Sequence, residues 1–215
     1  MNILSFDVGI KNLAYCLIQK NDDDFVIKLW GLIDLSKSKE VTKSVMTLPL
    51  VLLATYMYAE LDKLEAYYKN DDKLVVLIEN QPTLKNPTMK SISTILFSYY
   101  VMAMRNNKID KVLFMSPSNK MKIGNNYDKN LIKEFSIKNK YKIVKDLSVS
   151  YTIKMISEDR LKYLNTNKKK DDLCDAFLQG FYFMFNIKNK LNIPEKYKKI
   201  INEVNDYYHK EYSNK

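Results

Sequence analysis

The chain has 215 residues, 46% hydrophobic and 28% charged, with a formal net charge of +10. This composition is that of an ordinary globular protein, and no apolar run is long enough to predict a transmembrane helix. Two cysteines and one histidine argue against a disulfide framework, a zinc site built on two histidines and a Ser-His-Asp triad. We expect an intracellular protein, with no targeting peptide before the first strand.

The positive charge comes almost entirely from lysine, because Arg105 and Arg160 are the only arginines. Such a charge is typical of proteins that bind nucleic acids, since lysines displace counterions from phosphates. A genome rich in A and T would also encode many lysine, asparagine, isoleucine and tyrosine residues without any selection for binding. The charge alone therefore leaves both interpretations open.

The first half of the chain predicts a sheet with two helices. Three strands come first, at about 2–7, 12–20 and 25–33. Their close spacing predicts an antiparallel meander. Apolar residues at three- and four-residue steps then predict an amphipathic helix at about 48–69. The continuous apolar run 74–78 predicts a strand buried on both faces, and a helix at about 88–106 and a strand at about 112–115 follow.

The second half predicts mainly helices. We expect them at about 128–139, 149–164 and 171–187. A polar, helical segment follows Pro194. This order predicts an α/β fold in which a mixed five-stranded sheet is flanked by helices, with an extra C-terminal helical segment. We expect one domain at 1–190 and an appendage at 191–215.

Two acidic residues follow predicted strands. Asp7 ends the first strand in Asp-Val-Gly, and Glu79 closes the apolar run 74–78. A carboxylate at the end of a buried strand loses hydration unless a cation or a hydrogen bond compensates for the loss. Both are candidate metal ligands. Asp-Val-Gly is also compatible with a simple β-turn, and Glu79 with a side chain that points to solvent.

Two further acids begin the predicted helix 171–187. Asp172 and Asp175 are about 60° apart around its axis and border its apolar face. Like charges at this spacing repel, and a bound cation would reverse that cost. The helix dipole offers another explanation, which accounts for Asp171 better than for Asp175. Oxygen ligands suit Mg²⁺ or Mn²⁺, and two such ions can act on both sides of a phosphoryl displacement.

A lysine near the last predicted strand is a candidate catalytic group. Lys120 follows that strand in Ser-Pro-Ser-Asn-Lys, where its charge could stabilise negative charge on a phosphate. The alternative is a solvated loop lysine, and Lys122 is close enough in sequence to take the same role.

Four segments in this order resemble the RuvC-type Holliday junction resolvases. They are Ser5-Phe-Asp-Val-Gly-Ile-Lys-Asn-Leu-Ala14, Leu77-Ile-Glu-Asn-Gln-Pro82 with Asn86-Pro-Thr-Met-Lys90, Ser116-Pro-Ser-Asn-Lys120 and Lys169-Lys-Asp-Asp-Leu-Cys-Asp-Ala176. The resemblance runs from about residue 2 to 185. It is greatest to the poxvirus-like branch of large DNA viruses, with kinship to fungal mitochondrial resolvases. The stretch 118–146 and the tail beyond 187 match least.

The resemblance implies an RNase H-like fold, a homodimer and cutting of four-way or otherwise branched DNA. The four acids Asp7, Glu79, Asp172 and Asp175 would bind two Mg²⁺ ions, for which Mn²⁺ can substitute. Lys120 would match the catalytic lysine of the family. The products would be symmetric nicks with 5′-phosphate ends. A viral enzyme of this kind would act in the cytoplasm or nucleus of an infected cell.

Other functions are compatible with parts of the sequence. A nuclease of the same fold could act on other branched DNA or on structured RNA, because fold does not determine substrate. Asp-x-Gly-x-x-Asn also occurs in actin-like nucleotide-binding proteins, but four glycines are few for their nucleotide loops. A DNA-binding scaffold without activity would not need the acids.

Overall fold

The computed structural model describes residues 1–38, 49–68, 73–84, 86–105, 109–124, 137–187 and 190–213. These residues divide into two compact units, which comprise Met1–Pro117 and Ser118–Lys215. The predicted nuclease domain 1–190 includes residues of both units, and its boundary stays a prediction. No helix in the described ranges is long and apolar enough to cross a membrane.

A five-stranded sheet forms the centre of the first unit. Its strands are β1 (Asn2–Asp7), β2 (Leu13–Asn21), β3 (Asp24–Ile33), β4 (Leu74–Glu79) and β5 (Lys111–Met115). The order across the sheet is β3-β2-β1-β4-β5. The first three strands form the predicted antiparallel meander, and β4 and β5 run parallel to β1. The predicted mixed five-stranded sheet is confirmed.

Two helices, α1 (Leu50–Glu65) and α2 (Pro87–Met104), cover one face of this sheet. Each buries a stripe of residues at three- and four-residue steps, as the sequence predicts. The stripes are Leu53, Met57, Leu61 and Leu64 in α1, and Ile92, Leu96 and Tyr100 in α2. They share one apolar core with Phe6 of β1 and Ile78 of β4. At the start of α2, Asn86 Oδ1 accepts a hydrogen bond from the Met89 amide at 3.1 Å.

The second unit is mainly helical. A 3₁₀ segment, Pro117–Gly124, leads into it from the first unit. Its helices are α3 (Ile137–Met155), α4 (Glu158–Thr166), α5 (Lys170–Phe185) and α6 (Glu195–Ser213). A short hairpin, β6 (Asn186–Ile187) and β7 (Lys190–Leu191), joins the last two helices. The predicted helix at 128–139 lies mostly outside the described residues.

The single helix predicted at 149–164 is wrong, because two helices occupy this range. Ser157 has extended backbone angles, φ −68° and ψ 160°, between α3 and α4. Glu158 and Asp159 follow it in the first turn of α4, where acids are favoured by the helix dipole. Ser-Glu-Asp is thus a helix start that the apolar pattern alone did not reveal.

Helix α5 is the core of the second unit, and its residues from Leu173 onward are buried almost all round. Helices α3 and α4 pack against α5, and α6 packs against α3. Ring contacts link Phe181 of α5 to Phe177 at 5.9 Å, to Phe185 at 5.0 Å and to Tyr197 of α6 at 5.2 Å. The predicted C-terminal helical segment is therefore present, and it contributes to this core.

Candidate functional site

Asp7 and Glu79 are neighbours at one edge of the sheet. The last residues paired between parallel β1 and β4 are Phe6 and Ile78, and each acid is the next residue of its strand. Neighbouring strands lie about 4.8 Å apart, so the two acids stand side by side. Phe6 and Ile78 point into the core beneath α1 and α2. Because side chains alternate along a strand, both carboxylates belong to the opposite face.

A tight turn follows Asp7. A Cβ atom on Gly9 would lie 2.6 Å from the carbonyl oxygen of Asn12, a distance that side chains do not tolerate. The carbonyl of Ile10 accepts a hydrogen bond from the Leu35 amide at 2.8 Å, which fixes the turn. The chain therefore reverses direction after Asp7 through a closely packed loop. This loop is also compatible with a functional Asp7, since the turn holds the end of β1 in place.

Glu79 is buried, with 8% of its surface exposed. Its Oε2 accepts a hydrogen bond from Gln81 Nε2 at 2.7 Å. The next residue, Asn80, donates its amide to the Met115 carbonyl at 2.8 Å and accepts a hydrogen bond from Lys90 Nζ at 2.9 Å. The alternative in which Glu79 points into open solvent is wrong. Its carboxylate is desolvated and oriented at the sheet edge.

In the second unit, Asp175 has a hydrogen-bond donor on each carboxylate oxygen. Its Oδ2 forms an ion pair with Lys120 Nζ, and its Oδ1 accepts a hydrogen bond from Ser148 Oγ at 2.5 Å. Only 13% of the Lys120 side chain and 15% of the Asp175 side chain are exposed. Lys120 is therefore not a solvated loop lysine. Lys122 instead donates to Asn119 Oδ1 at 2.6 Å and lies 5.8 Å from the Tyr182 ring.

Asp171 and Asp172 are adjacent but have different electrostatic surroundings. Burial alone would raise the pKa of Asp171, but its ion pair with Lys145 outweighs burial and lowers the pKa. Burial raises the pKa of Asp172, and the negative charges of Asp171 and Asp175 raise it further. Asp171 is thus neutralised by a lysine, whereas Asp172 carries a negative charge that its surroundings penalise. A divalent cation would relieve that penalty.

Sequence patterns did not reveal Lys145 and Ser148, which lie on α3 and contact the acids of α5. One signal was available for Ser148. It lies between the buried Leu147 and Tyr151 and is itself a buried polar residue on that face of the helix. A polar residue on the buried face of a helix requires a hydrogen-bond partner. The identity of that partner could not be read from the pattern.

The structure groups the predicted residues in two sets. Asp7 and Glu79 belong to the first unit, while Lys120, Asp172 and Asp175 belong to the second. Over the part of the chain that the structure describes, no group of three or more His, Cys, Asp or Glu residues could by itself hold a metal ion. Carboxylate oxygens that are partly or fully desolvated suit Mg²⁺. Binding of metal by all four acids stays a prediction.

The predicted fold is confirmed, because this arrangement of strands and helices matches that of a solved structure. The chain is similar to the crystal structure of the yeast mitochondrial Holliday junction resolvase Ydc2. The TM-score is 0.56 at 19% sequence identity, and the match covers 97% of this chain and 85% of the yeast chain. The similarity to Thermus thermophilus RuvC is weaker, with a TM-score of 0.46 at 11% identity over 86% of this chain and 95% of that chain.

In sequence, the chain is similar to "Uncharacterized protein L451" of Acanthamoeba polyphaga mimivirus. The two are 38% identical over 150 residues, which cover 66% of this chain and 36% of the relative. The chain thus spans little more than a third of that protein's length. No protein-family model matches the chain. The predicted resemblance to resolvases is confirmed at the level of the fold, and the mimivirus relative agrees with a likeness to proteins of large DNA viruses.

Proposed function

We propose that this protein is an endonuclease that resolves four-way DNA junctions by metal-dependent phosphodiester hydrolysis. The observation that carries the proposal is the side-by-side placement of Asp7 and Glu79 at the carboxyl ends of parallel strands. They lie in a fold shared with the yeast junction resolvase. Carboxylate oxygens at the edge of a sheet, where Glu79 is buried, are suited to binding cations.

Asp7, Glu79, Asp172 and Asp175 would hold the metal. When bound, two Mg²⁺ ions would supply a hydroxide nucleophile and stabilise the leaving 3′ oxygen, which yields a 5′-phosphate and a ligatable nick. The burial of Glu79 and the raised pKa of Asp172 support this assignment, because both describe carboxylates that gain from a nearby cation.

Lys120 would supply positive charge to the phosphate. Its ammonium group is ion-paired with Asp175 and largely shielded from solvent. A cation bound to the Asp175 carboxylate would repel this ammonium group, which could then stabilise the additional negative charge of the transition state. Lys120 lies on the 3₁₀ segment and contacts a predicted metal ligand, Asp175 of α5.

The symmetry of the substrate supports a dimer. A four-way junction has approximate two-fold symmetry, so an isologous homodimer would present one site to each of two opposite strands. The net charge of +10 fits backbone contacts to the arms, with the shape of the junction rather than its base sequence giving selectivity. The nicks would then be symmetric across the junction.

A cleavage assay on a synthetic mobile junction tests the proposal. We expect paired nicks with Mg²⁺ or Mn²⁺ and none with EDTA. Asp7→Asn and Asp175→Asn should abolish cutting, while both variants still bind the junction, because phosphate contacts give most of the affinity. Wild-type cutting rates in either variant would show that the site is misassigned.

A substrate panel tests the class of nucleic acid. Junction, replication fork, linear duplex and RNA hairpin are compared at equal concentration and salt. Preference for the junction supports the proposal. Equal or faster cutting of the fork or the hairpin would redirect it to another nuclease activity of the same fold.

A further inference from the structure

We infer that Ser148 is a positioning residue that orients the Asp175 carboxylate for metal binding. The inference rests on the proposed function and adds a residue to its site. Ser148 lies on α3, fully buried, and its Oγ donates to Asp175 Oδ1 at 2.5 Å. It lies 27 residues before Asp175 and belongs to a different helix.

The backbone that carries the Ser148 hydroxyl is itself held in place. Ser148 shares the packed face of α3 with the buried Leu147, Tyr151 and Thr152, and α3 packs against α5. Thr152 Oγ1 donates to the carbonyl oxygen of Ser148 at 2.9 Å, which ties the next turn of the helix to it. A hydroxyl in such a place has little freedom to turn away from its acceptor. It can therefore define the direction of the carboxylate that it contacts.

The two donors on Asp175 differ in charge, and this difference determines what a cation does to each. Lys120 contacts Oδ2 with a positive charge, which an approaching metal ion repels. Ser148 contacts Oδ1 with a neutral hydroxyl, which a metal ion does not repel. Ser148 would therefore keep its hydrogen bond to Oδ1 when Asp175 helps to hold a metal ion. Ser148 would hold the carboxylate in the same orientation before and after metal binding.

Residues that hydrogen-bond to a metal ligand affect the affinity for the metal. Hydrogen bonds to ligating carboxylates orient the ligand, and their removal typically weakens metal binding by about 10–100-fold. We expect Ser148→Ala to bind Mn²⁺ about 10–100-fold more weakly, as measured by titration followed with electron paramagnetic resonance. The Mg²⁺ concentration that half-saturates cleavage should rise by a similar factor, and excess Mg²⁺ should restore most of the rate.

Two comparisons separate positioning from a general effect on folding. Ser150 lies on the same helix and shares a hydrogen bond of 3.0 Å with the Tyr208 hydroxyl, away from Asp175. Ser150→Ala should therefore leave Mn²⁺ affinity unchanged. Ser148→Cys keeps a side chain of similar size but donates only weakly, so it should lose affinity as Ser148→Ala does. Thermal unfolding without metal checks that each variant is folded.

The inference and the proposed function fail in different ways. If Asp175→Asn loses Mn²⁺ binding but Ser148→Ala binds as tightly as the wild type, the role of Ser148 is wrong and the nuclease proposal stands. The same follows if Ser150→Ala weakens binding as much as Ser148→Ala. If the wild type binds no Mn²⁺ and cuts no junction, both proposals fail.

Discussion

The ammonium group of Lys120 is ion-paired with Asp175, although the two residues lie 55 positions apart in the sequence. Lys122, only two residues further, contacts Asn119 and the Tyr182 ring instead. This difference predicts that Lys120→Met slows cleavage by about 100-fold, the usual cost of losing one group that stabilises transition-state charge. Lys122→Met should change the rate by less than about threefold, since Lys122 makes only contacts near the surface, which contribute little free energy. Single-turnover cleavage of a labelled junction measures both, and equal losses would contradict the assignment to Lys120.

Asp171 and Asp172 provide a matched pair of adjacent carboxylates. Loss of a residue that only hydrogen-bonds to a metal ligand typically weakens metal binding by about 10–100-fold. Asp172→Asn should weaken Mn²⁺ binding by more than this, because it removes a ligand itself. Asp171→Asn should keep the affinity within about threefold, because Asp171 pairs with Lys145 and is not one of the four predicted ligands. Calorimetric titration with Mn²⁺ distinguishes the two. A larger loss from Asp171→Asn would reverse the assignment.

The Gln81 amide supports Glu79 and should influence metal binding from the first unit. Gln81→Ala removes the hydrogen bond of 2.7 Å to Glu79 Oε2. We expect the half-saturating Mg²⁺ concentration for cleavage to rise by about tenfold. Asn80→Ala is the control, since Asn80 contacts Lys90 rather than Glu79. An unchanged Mg²⁺ requirement in Gln81→Ala would show that this contact has no functional role.

Gly9→Ala should destabilise the protein through the turn that follows Asp7. The added methyl group would meet the Asn12 carbonyl at 2.6 Å, so the backbone must shift. Overpacking of this kind costs about 1–3 kcal/mol in the free energy of unfolding, which urea denaturation can measure. Lys11 lies in the same turn with its side chain exposed, so Lys11→Ala should have little effect. Equal stability of Gly9→Ala and wild type would mean that the turn adapts without cost.

The buried Tyr68 should make the folded protein less stable at alkaline pH. Burial is the main cause that raises its pKa to about 12 from 10.0. Between these two values the unfolded chain releases a proton that the folded protein retains, so stability falls as pH rises. Tyr68→Phe removes this titration and should flatten the decline by at most about 2 kcal/mol between pH 10 and 12. Urea unfolding at several pH values tests the prediction, and an unchanged slope would contradict it.

Most of the sheet and the position of the acids at element ends could be predicted from local patterns. The apolar run that ends at Glu79 is a buried strand, and the acids before Cys174 begin a helix. The break at Ser157 was missed because apolar residues recur on both sides of it, although one helix ends and the next begins there. The side on which Asp7 and Glu79 lie required the register of β1 with β4.

The sequence by itself determined most of the strands and helices, and it determined that carboxylates end β1 and β4 and begin α5. Both properties depend on neighbours along the chain, through backbone propensity and the period of apolar residues. Only the tertiary structure decided that Lys120 rather than Lys122 meets Asp175, that Lys145 neutralises Asp171, and that a buried serine contacts the same carboxylate. These pairings join residues 26 to 55 positions apart, so the packing of helices, not local sequence, brings their atoms within hydrogen-bonding distance.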